Sequence, residues 1–331
     1  MQLTPKKCVG ALARFILVLA MAGAISQCAV AQGWPARTIR TIVPFTAGSG
    51  SDIIARTTME ALGARLGQTI VVENRVGAGG TIGAAVVARA DPDGYTLLFD
   101  SSAHTSTPWV YKKLPYSVDD FVAVAMVASL PQVLVIAPSK GFKTVQDLVA
   151  WAKTNPGKAT YASGGTGSAT HLSVERFRLS AGFEGAHVPF KGGPEAITEV
   201  MMGRVDFYFV PALPALSLIQ DGKLAALAVS SIRRAAVLPD VPTTTEAGYA
   251  NSDYNFWVGV FAPVKTARDI VERINREVAA VLGSAEIVAR LSRAGAEPLP
   301  MTAAEFETLR RTELAANETL VKSIGIAGSE N

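Results

Sequence analysis

Two loops rich in glycine and serine are the segments of this 331-residue chain best suited to hold a small anion. The first runs Pro44-Phe45-Thr46-Ala47-Gly48-Ser49-Gly50-Ser51-Asp52, and the second Tyr161-Ala162-Ser163-Gly164-Gly165-Thr166-Gly167-Ser168. Each lies between a predicted strand and a predicted helix, where small residues let the backbone approach a ligand and free N–H groups can bind an anion. An N-cap role would explain Ser51 or Asp52 alone, but not two glycines and two serines together.

Neither loop contains arginine or lysine, so the predicted ligand contacts are backbone groups and hydroxyls. Ligands of open α/β sheets bind beyond the carboxyl ends of the strands, which is where both loops are expected to lie. Two such loops on opposite sides of a cleft would hold a carboxylate between them.

Two further glycine loops leave alternatives open. Asn74 to Gly83 has the spacing G-x-G-x-x-x-G and precedes a strand ending at Asp100, which resembles a dinucleotide site only weakly. The loop from Pro189 to Pro194 carries Lys191, which could contact an anion or, as is more common for a lysine in a turn, be solvated.

The residue patterns of catalysis are mostly missing. His104, His171 and His187 have no metal-ligand spacing, and an isolated histidine is more often structural. No G-x-S-x-G motif is present, and no metal site or cofactor is indicated. The sequence therefore favours a binding protein over an enzyme, with an exported hydrolase and a dinucleotide-dependent enzyme as alternatives.

Short β-rich segments alternate with alanine-rich helical segments, which predicts parallel sheets with helices on their faces. The predicted strands are 39–43, 70–73, 95–99, 133–137, 160–162, 188–190, 206–210 and 224–229. The predicted helices are 52–66, 82–90, 145–153, 168–179, 194–202, 267–282, 285–294 and 303–324.

Almost 300 residues exceed the comfortable size of one hydrophobic core, so the α/β chain is expected to form two lobes. Lobe 1 would comprise residues 32–131 and 255–331, and lobe 2 residues 132–254. The extended apolar segments near 130–135 and 255–262 would carry the chain between the lobes. Two crossings of this kind form a hinge.

The first 31 residues have the pattern of a secretory signal peptide. Lys6, Lys7 and Arg14 precede a short apolar stretch, and the segment ends in a small-x-small cleavage site at Ala31. The alternative of a lipid anchor at Cys28 ranks lower, because glutamine is a poor residue before a lipidated cysteine. We therefore expect a periplasmic protein.

Cleavage at Ala31 would remove both cysteines and three basic residues, and would leave a chain with no net charge. A mature chain without thiols excludes disulfides and cysteine nucleophiles. A balanced charge gives no support for nucleic acid or an anionic membrane surface as partner.

Several motifs together resemble the Bug family of extracytoplasmic receptors, also called the TctC family, which serve tripartite tricarboxylate transporters. They cover the whole mature chain in the family's order. The motifs are Pro44-Phe45-x-Ala47-Gly48, Asn74-Arg75-x-Gly77-Ala78-Gly79-Gly80, Tyr161-Ala162-Ser163, His171-Leu172, Val188-Pro189-Phe190-Lys191-Gly192, Gly203-Arg204-Val205-Asp206, Leu238-Pro239-Asp240-Val241-Pro242-Thr243, Glu246-Ala247-Gly248 and Trp257-Val258-Gly259.

The resemblance implies a type II periplasmic-binding-protein fold whose two lobes close around a small carboxylate. The ligand would be an amino acid, a di- or tricarboxylate or an aromatic acid, held through backbone groups and ordered water. A membrane transporter or a sensor protein is the implied partner of the closed receptor, which we expect to be a monomer. By motif position the ligand-binding residues are Phe45, Ala47, Gly48, Ser49, Asp52, Ser163, Gly164, Thr166, Gly167, Ser168 and Asp206.

The chain departs from the family pattern at two places. Ser49 stands where the family usually has a second glycine, so its side chain would narrow the pocket. Thr107 precedes Pro108 where asparagine is usual, and we expect this region, with Ser102 and His104, to face the distal end of the ligand. These departures affect ligand identity.

Overall fold

The computed structural model describes residues 33–254 and 256–330. The predicted signal peptide, its cleavage site near Ala31 and Cys28 lie outside the described residues. Within the described part of the chain, no helix is both long and apolar enough to cross a membrane.

The first sheet draws its strands from both ends of the chain. They are β1 (Ile39–Val43), β2 (Ile70–Asn74), β3 (Thr96–Ser101), β4 (Phe121–Leu130), β10 (Phe256–Pro263) and β11 (Glu297–Pro298). Their order is β11-β4-β10-β3-β1-β2, with β1 parallel to β2 and β3. Strand β10 runs antiparallel to both of its neighbours.

The second sheet is formed by one continuous stretch of chain. Its strands are β5 (Gln132–Ile136), β6 (Thr160–Ser163), β7 (Ala186–Pro189), β8 (Phe207–Pro211) and β9 (Ala225–Val229). Their order is β7-β6-β8-β5-β9, with β6 parallel to β7 and β8 and with β5 antiparallel to β8 and β9. The two sheets give the mixed α/β, two-lobed architecture that the sequence predicted.

Helices fill the connections and cover the sheets. They are α1 (Gly50–Leu66), α2 (Thr81–Ala88), α3 (Thr107–Val110), α4 (Val145–Thr154), α5 (Ala169–Ala181), α6 (Gly193–Met201), α7 (Ala212–Gln220), α8 (Arg268–Leu282), α9 (Ala285–Arg293) and α10 (Ala303–Ser323). In the second lobe, α4 and α5 pack in one hydrophobic cluster and α6 and α7 in another, on either side of the sheet.

The predicted parallel sheets are only partly confirmed. Each sheet has three parallel strands, but β5 and β10, the strands nearest the crossings between the sheets, run antiparallel to their neighbours. Neither β4 nor β10 was predicted as a strand. Every residue of β10 is buried, so it lacks the apolar–polar alternation by which a strand is recognised.

The chain passes from the first sheet to the second through a single residue, Pro131, between the end of β4 and the start of β5. It returns to the first sheet at β10. The parallel strands β1 and β6 end at Val43 and Ser163, and each is followed by one of the two glycine-serine loops. The topology therefore brings these loops to the carboxyl edges of their sheets.

Candidate functional site

A cavity lies between the two sheets at these carboxyl edges. Both lobes contribute to its wall, and no residue of the wall carries a charged side chain. The wall consists of Phe45, Ser49, Gly50, Ser51, Ser101, Gly164, Ser168, Ala169, Thr170, Gly192, Gly193, Tyr208, Pro211, Pro214 and Phe256.

The first loop joins β1 to α1 and ends in a capped helix start. Ser49 is the N-cap of α1, and its hydroxyl accepts a hydrogen bond from the Asp52 N–H at 3.3 Å. Gly48 has a φ of 78°, and its N–H donates to Asp52 Oδ2 at 2.9 Å. Asp52 also accepts from Arg56 Nε at 3.1 Å and from Asn74 Nδ2 at 2.8 Å.

This network fixes the ionisation of Asp52. Burial favours the neutral acid, but hydrogen bonds from Arg56, Asn74 and the Gly48 N–H outweigh burial and hold the pKa of the carboxyl below its usual value. The carboxylate is thus fully engaged inside the first lobe. Asp52 orders the loop and does not line the cavity.

The second loop joins β6 to α5 with the same geometry. Ser168 is the N-cap of α5, and its hydroxyl accepts from the His171 N–H at 3.3 Å. Gly167 has a φ of 75°, and its N–H donates to His171 Nδ1 at 3.1 Å. His171 therefore occupies the position that Asp52 has in the first loop.

A second histidine supports the base of this loop. The Ser163 hydroxyl lies 2.6 Å from His187 Nε2 and accepts a hydrogen bond from the Gly165 N–H at 3.0 Å. The rings of His171 and His187 stack at 3.9 Å. Burial, reinforced by the Arg178 charge, lowers the pKa of His171 to about 4. Burial and the neighbouring His171 lower the pKa of His187 to about 3, so both rings are neutral near pH 7.

A third helix start completes the polar side of the cavity. Helix α6 begins at Gly193 after the N-cap Gly192, which has no side chain with which to cap the helix. Gly192 lies against the first lobe, where a Cβ atom would come within 1.9 Å of Thr46 Oγ1. Its φ of −177° is extended backbone open to any residue, so the close approach of the two lobes is what requires glycine here.

The three helix starts leave a group of backbone donors unpaired at the cavity wall. No residue in 33–254 or 256–330 accepts a hydrogen bond from the N–H groups of Gly50, Ser51, Ala169, Thr170 and Gly193. Such donors, aided by the helix dipoles, hold an anion without any cationic side chain. The cavity is therefore suited to a carboxylate.

The rest of the wall is largely apolar. Phe45 and Phe256 come from the first lobe, and Pro211, Pro214 and the ring of Tyr208 come from the second. These side chains offer van der Waals contact to the carbon skeleton of a ligand whose carboxylate lies at the helix starts.

The two lobes touch around this cavity. Ser106 Oγ donates to the Gly167 carbonyl at 2.7 Å, and the Tyr111 hydroxyl lies 3.4 Å from the Thr166 carbonyl oxygen. A Cβ atom on Gly79 would come within 2.6 Å of the same Thr166 oxygen. The structure is therefore that of a closed cleft.

The predicted site residues divide into three groups. Phe45, Ser49, Gly164 and Ser168 line the cavity. Ala47, Gly48, Asp52, Ser163, Thr166 and Gly167 belong to the two loops but not to the cavity wall. Ser102, His104 and Asp206 are not brought to the cavity wall.

His104 and Ser102 lie in the packed interior of the first lobe. His104 is 1% exposed, stacks on Phe261 at 4.2 Å and has Nδ1 3.4 Å from Asp100 Oδ2. Ser102 is equally buried. Both follow the end of β3, but the neighbouring Ser101 is the residue that reaches the cavity.

Asp206 lies immediately before β8, whereas the cavity is at the other end of that strand, beside Pro211. Its carboxylate pairs with Lys140 at 2.5 Å and accepts from the Thr160 N–H and hydroxyl, each at 2.8 Å. Asp206 thus joins neighbouring strands, and a motif match alone could not show which end of the strand it occupies.

Several wall residues were missed by sequence reasoning. Ser51, Thr170 and Gly193 could have been selected, because they stand within two positions of a helix N-cap, where N–H groups are free. Tyr208, Pro211 and Phe256 reach the cavity only through the packing of the sheets. Lys191, the weakly predicted cation, is exposed and outside the wall.

The third glycine loop serves protein packing. A Cβ atom on Gly83 would come within 2.8 Å of Pro44 Cβ, and Gly79 contacts the second lobe. Contacts within the protein therefore account for the glycines at these two positions. In the described residues no cluster of histidine, cysteine or acidic side chains could hold a metal ion.

A family model and a sequence relative both match most of this chain. The model of the tripartite tricarboxylate transporter family receptor matches residues 54–326. Protein BugT of Bordetella pertussis is 36% identical over 293 residues, which cover 87% of this chain and 88% of BugT.

Two solved structures from Rhodopseudomonas palustris are similar along almost their whole length. One, solved with adipate, has a TM-score of 0.86 and 33% identity and covers 89% of this chain and 99% of its own. The other, MatC with bound malate, has a TM-score of 0.82 and 30% identity and covers 87% of this chain and 100% of its own.

Proposed function

Because the chain belongs to the tripartite tricarboxylate transporter family of receptors, we propose that its cleft captures the carboxylate of a small organic acid between the two lobes. Members of this family are solute-binding proteins and not enzymes, which removes the hydrolase and the dinucleotide enzyme as alternatives. The fold is that of a receptor whose lobes close on a ligand.

The unpaired N–H groups at three helix starts carry this proposal. They come from both lobes, at Gly50 and Ser51 in the first and at Ala169, Thr170 and Gly193 in the second. A carboxylate bound to both sets would favour the closed state, because only closure brings all of them to one anion. The relatives solved with adipate and malate support a carboxylate as the ligand.

The cellular setting follows from the family and the sequence. We propose export to the periplasm with cleavage near Ala31, and lobes formed by residues 32–131 with 255–331 and by residues 132–254. In the closed state the monomeric receptor would be recognised by a membrane transporter or a sensor protein.

A panel of acids tests the ligand class. We expect at least one of glutamate, malate, adipate, citrate and benzoate to raise the Tm of the purified protein, since a ligand that binds only the folded state stabilises it by mass action. No shift with any of these acids or their close homologues would contradict carboxylate capture.

The variant Gly192→Ala tests closure with the same acid. The added Cβ would collide with Thr46 across the cleft, and extended backbone accepts alanine without strain. We expect affinity to fall by about 10- to 100-fold, since overpacking costs about 1–3 kcal/mol. The matched control is Gly283→Ala, where the φ is −82° and the nearest contact would be an ordinary 3.5 Å. Equal affinities in the two variants would show that binding needs no closure at Gly192.

A further inference from the structure

The Thr166–Gly167 peptide connects the ligand loop of the second lobe to the first lobe. Its N–H points inward to His171 Nδ1 at 3.1 Å, and its carbonyl points outward to the Tyr111 hydroxyl at 3.4 Å. In a trans peptide the N–H and the carbonyl point in opposite directions, so fixing one fixes the other. The next carbonyl, that of Gly167, receives the 2.7 Å hydrogen bond from Ser106.

From this geometry we infer that His171 is a positioning residue for ligand capture, whose neutral ring orients the Thr166–Gly167 peptide so that the loop can meet the first lobe when the cleft closes. The His171 ring does not line the cavity, and the residue that it hydrogen-bonds, Gly167, does not line it either. It acts through Gly167, which is held at a φ of 75°.

The surroundings of His171 keep the ring neutral, with Nδ1 free to accept the hydrogen bond from the Gly167 N–H. It is 2% exposed, stacks on His187 of β7 and lies 6.1 Å from the Tyr161 ring of β6. The charged groups nearby are Glu175 and Arg178, which pair with each other on the same helix. Protonation of Nδ1 would place two donors face to face at Gly167 and abolish the hydrogen bond.

The decisive variants are His171→Leu and His171→Asn. Leucine removes the acceptor, whereas the asparagine carbonyl oxygen restores an acceptor near the position of Nδ1. The first readout is hydrogen exchange of the Gly167 amide in ligand-free protein. We expect exchange about tenfold faster or more in the leucine variant, as for the loss of one buried hydrogen bond, and within about threefold of the parent in the asparagine variant.

The second readout is the Kd for the acid, among glutamate, malate, adipate, citrate and benzoate, that raises the Tm most. We expect about tenfold weaker binding in the leucine variant and near-parental binding in the asparagine variant. Only this readout rests on the proposed function. If no acid binds the parent protein, carboxylate capture is wrong, whereas amide exchange still decides the role of His171.

The pH dependence of Gly167 protection and of affinity distinguishes a hydrogen-bonding role of His171 from a packing role. This test compares the parent protein with the asparagine variant alone. Because the pKa of His171 is about 4, the parent protein should lose Gly167 protection and affinity relative to the asparagine variant as the pH falls from about 5 to about 3.5. Only the parent can protonate at this position. The ligand's own titration cancels in this ratio. A ratio that stays constant over this range, or equal losses in the leucine and asparagine variants, would overturn the inference.

Discussion

The two glycine-serine loops have the same backbone geometry, but different side chains hold that geometry in place. In each, a glycine with a φ near 75–78° precedes a serine N-cap, and the glycine N–H donates to a side chain four residues further on. In the first loop that side chain is the ionised Asp52, tied to Arg56 and Asn74. In the second it is the neutral, buried His171. The geometry thus requires an acceptor at this position but does not require a charge.

The difference has an electrostatic consequence. The carboxylate of Asp52 is hydrogen-bonded to the Gly48 N–H and to Arg56 inside its own lobe. The positive end of the first helix dipole therefore remains directed towards the cavity. The second loop achieves the same result by having no charge at all. An anion in the cavity would therefore meet helix starts of similar polarity at the two loops, although the residues beneath them differ.

The largest stability effect should come from the first loop. The variant Asp52→Ala removes the acceptor of the Gly48 N–H and of Arg56 Nε, whereas Asn74 Nδ2 keeps its bond to the Phe45 carbonyl. We expect the free energy of unfolding to fall by about 2 kcal/mol after discounting for the half-exposed Arg56. Urea unfolding at pH 7 measures this loss. Asp52→Asn, which keeps one acceptor oxygen, is the control and should lose less. An alanine variant as stable as the parent would show that the network is not needed to hold the loop.

The second effect is a dependence of the free energy of unfolding on pH, which only the second loop should contribute. The folded-state pKa values of His171 and His187, about 4 and about 3, lie below the usual 6.5. Their contribution to stability is fully present above pH 6.5 and is lost as the pH falls towards 4 and 3, because the unfolded chain then binds more protons. Asp52 has a lowered pKa, so its contribution is lost only as the pH falls past the unfolded value of 3.8, and it changes little between pH 7 and pH 5.

The pH dependence of stability must be compared between the parent and a variant, because Glu313 changes stability with pH in the opposite direction to the histidines. Burial raises the pKa of Glu313 to about 7, so its contribution to stability increases as the pH falls from 7 towards 4.5. Urea unfolding of the parent and of His171→Asn at pH 7 and pH 5 isolates the His171 contribution. We expect the parent to lose more stability than the variant between these pH values. The opposite order would contradict the neutral-acceptor role.

The smallest effect should be equal in the two loops. Ser49→Ala and Ser168→Ala each remove one N-cap hydrogen bond of 3.3 Å, and each should cost about 1 kcal/mol. The Thr170 hydroxyl, which lies 3.1 Å from Ser168 Oγ, keeps its hydrogen bond from the Gly164 N–H, so its loss of Ser168 should add little. Thermal or urea unfolding of the single variants tests this equality, with Ser284→Ala, the N-cap of α9 far from the cleft, as the reference. Markedly unequal losses at the two loop caps would show that the shared geometry does not imply shared energetics.

Local sequence features predicted the loops well and the cavity only partly. Glycine and serine between a strand and a helix identify Gly48, Ser49, Gly167 and Ser168, because backbone and capping requirements act over a few residues. Phe256 and Tyr208 reach the wall through strand pairings between distant parts of the chain, which no local pattern records. His104 and Asp206 show the opposite error, because both were predicted to contact the ligand but instead contact neighbouring residues within one lobe.

The passage of the chain through Pro131 makes the second sheet a self-contained insert. All of its strands lie between Gln132 and Val229, whereas the first sheet takes strands from both sides of this stretch. Each lobe also carries its own capped helix start and its own support for it. The stretch could therefore be exchanged as a cassette between relatives of this fold, so that new ligand preferences arise by recombining halves of a binding site as well as by changing single residues.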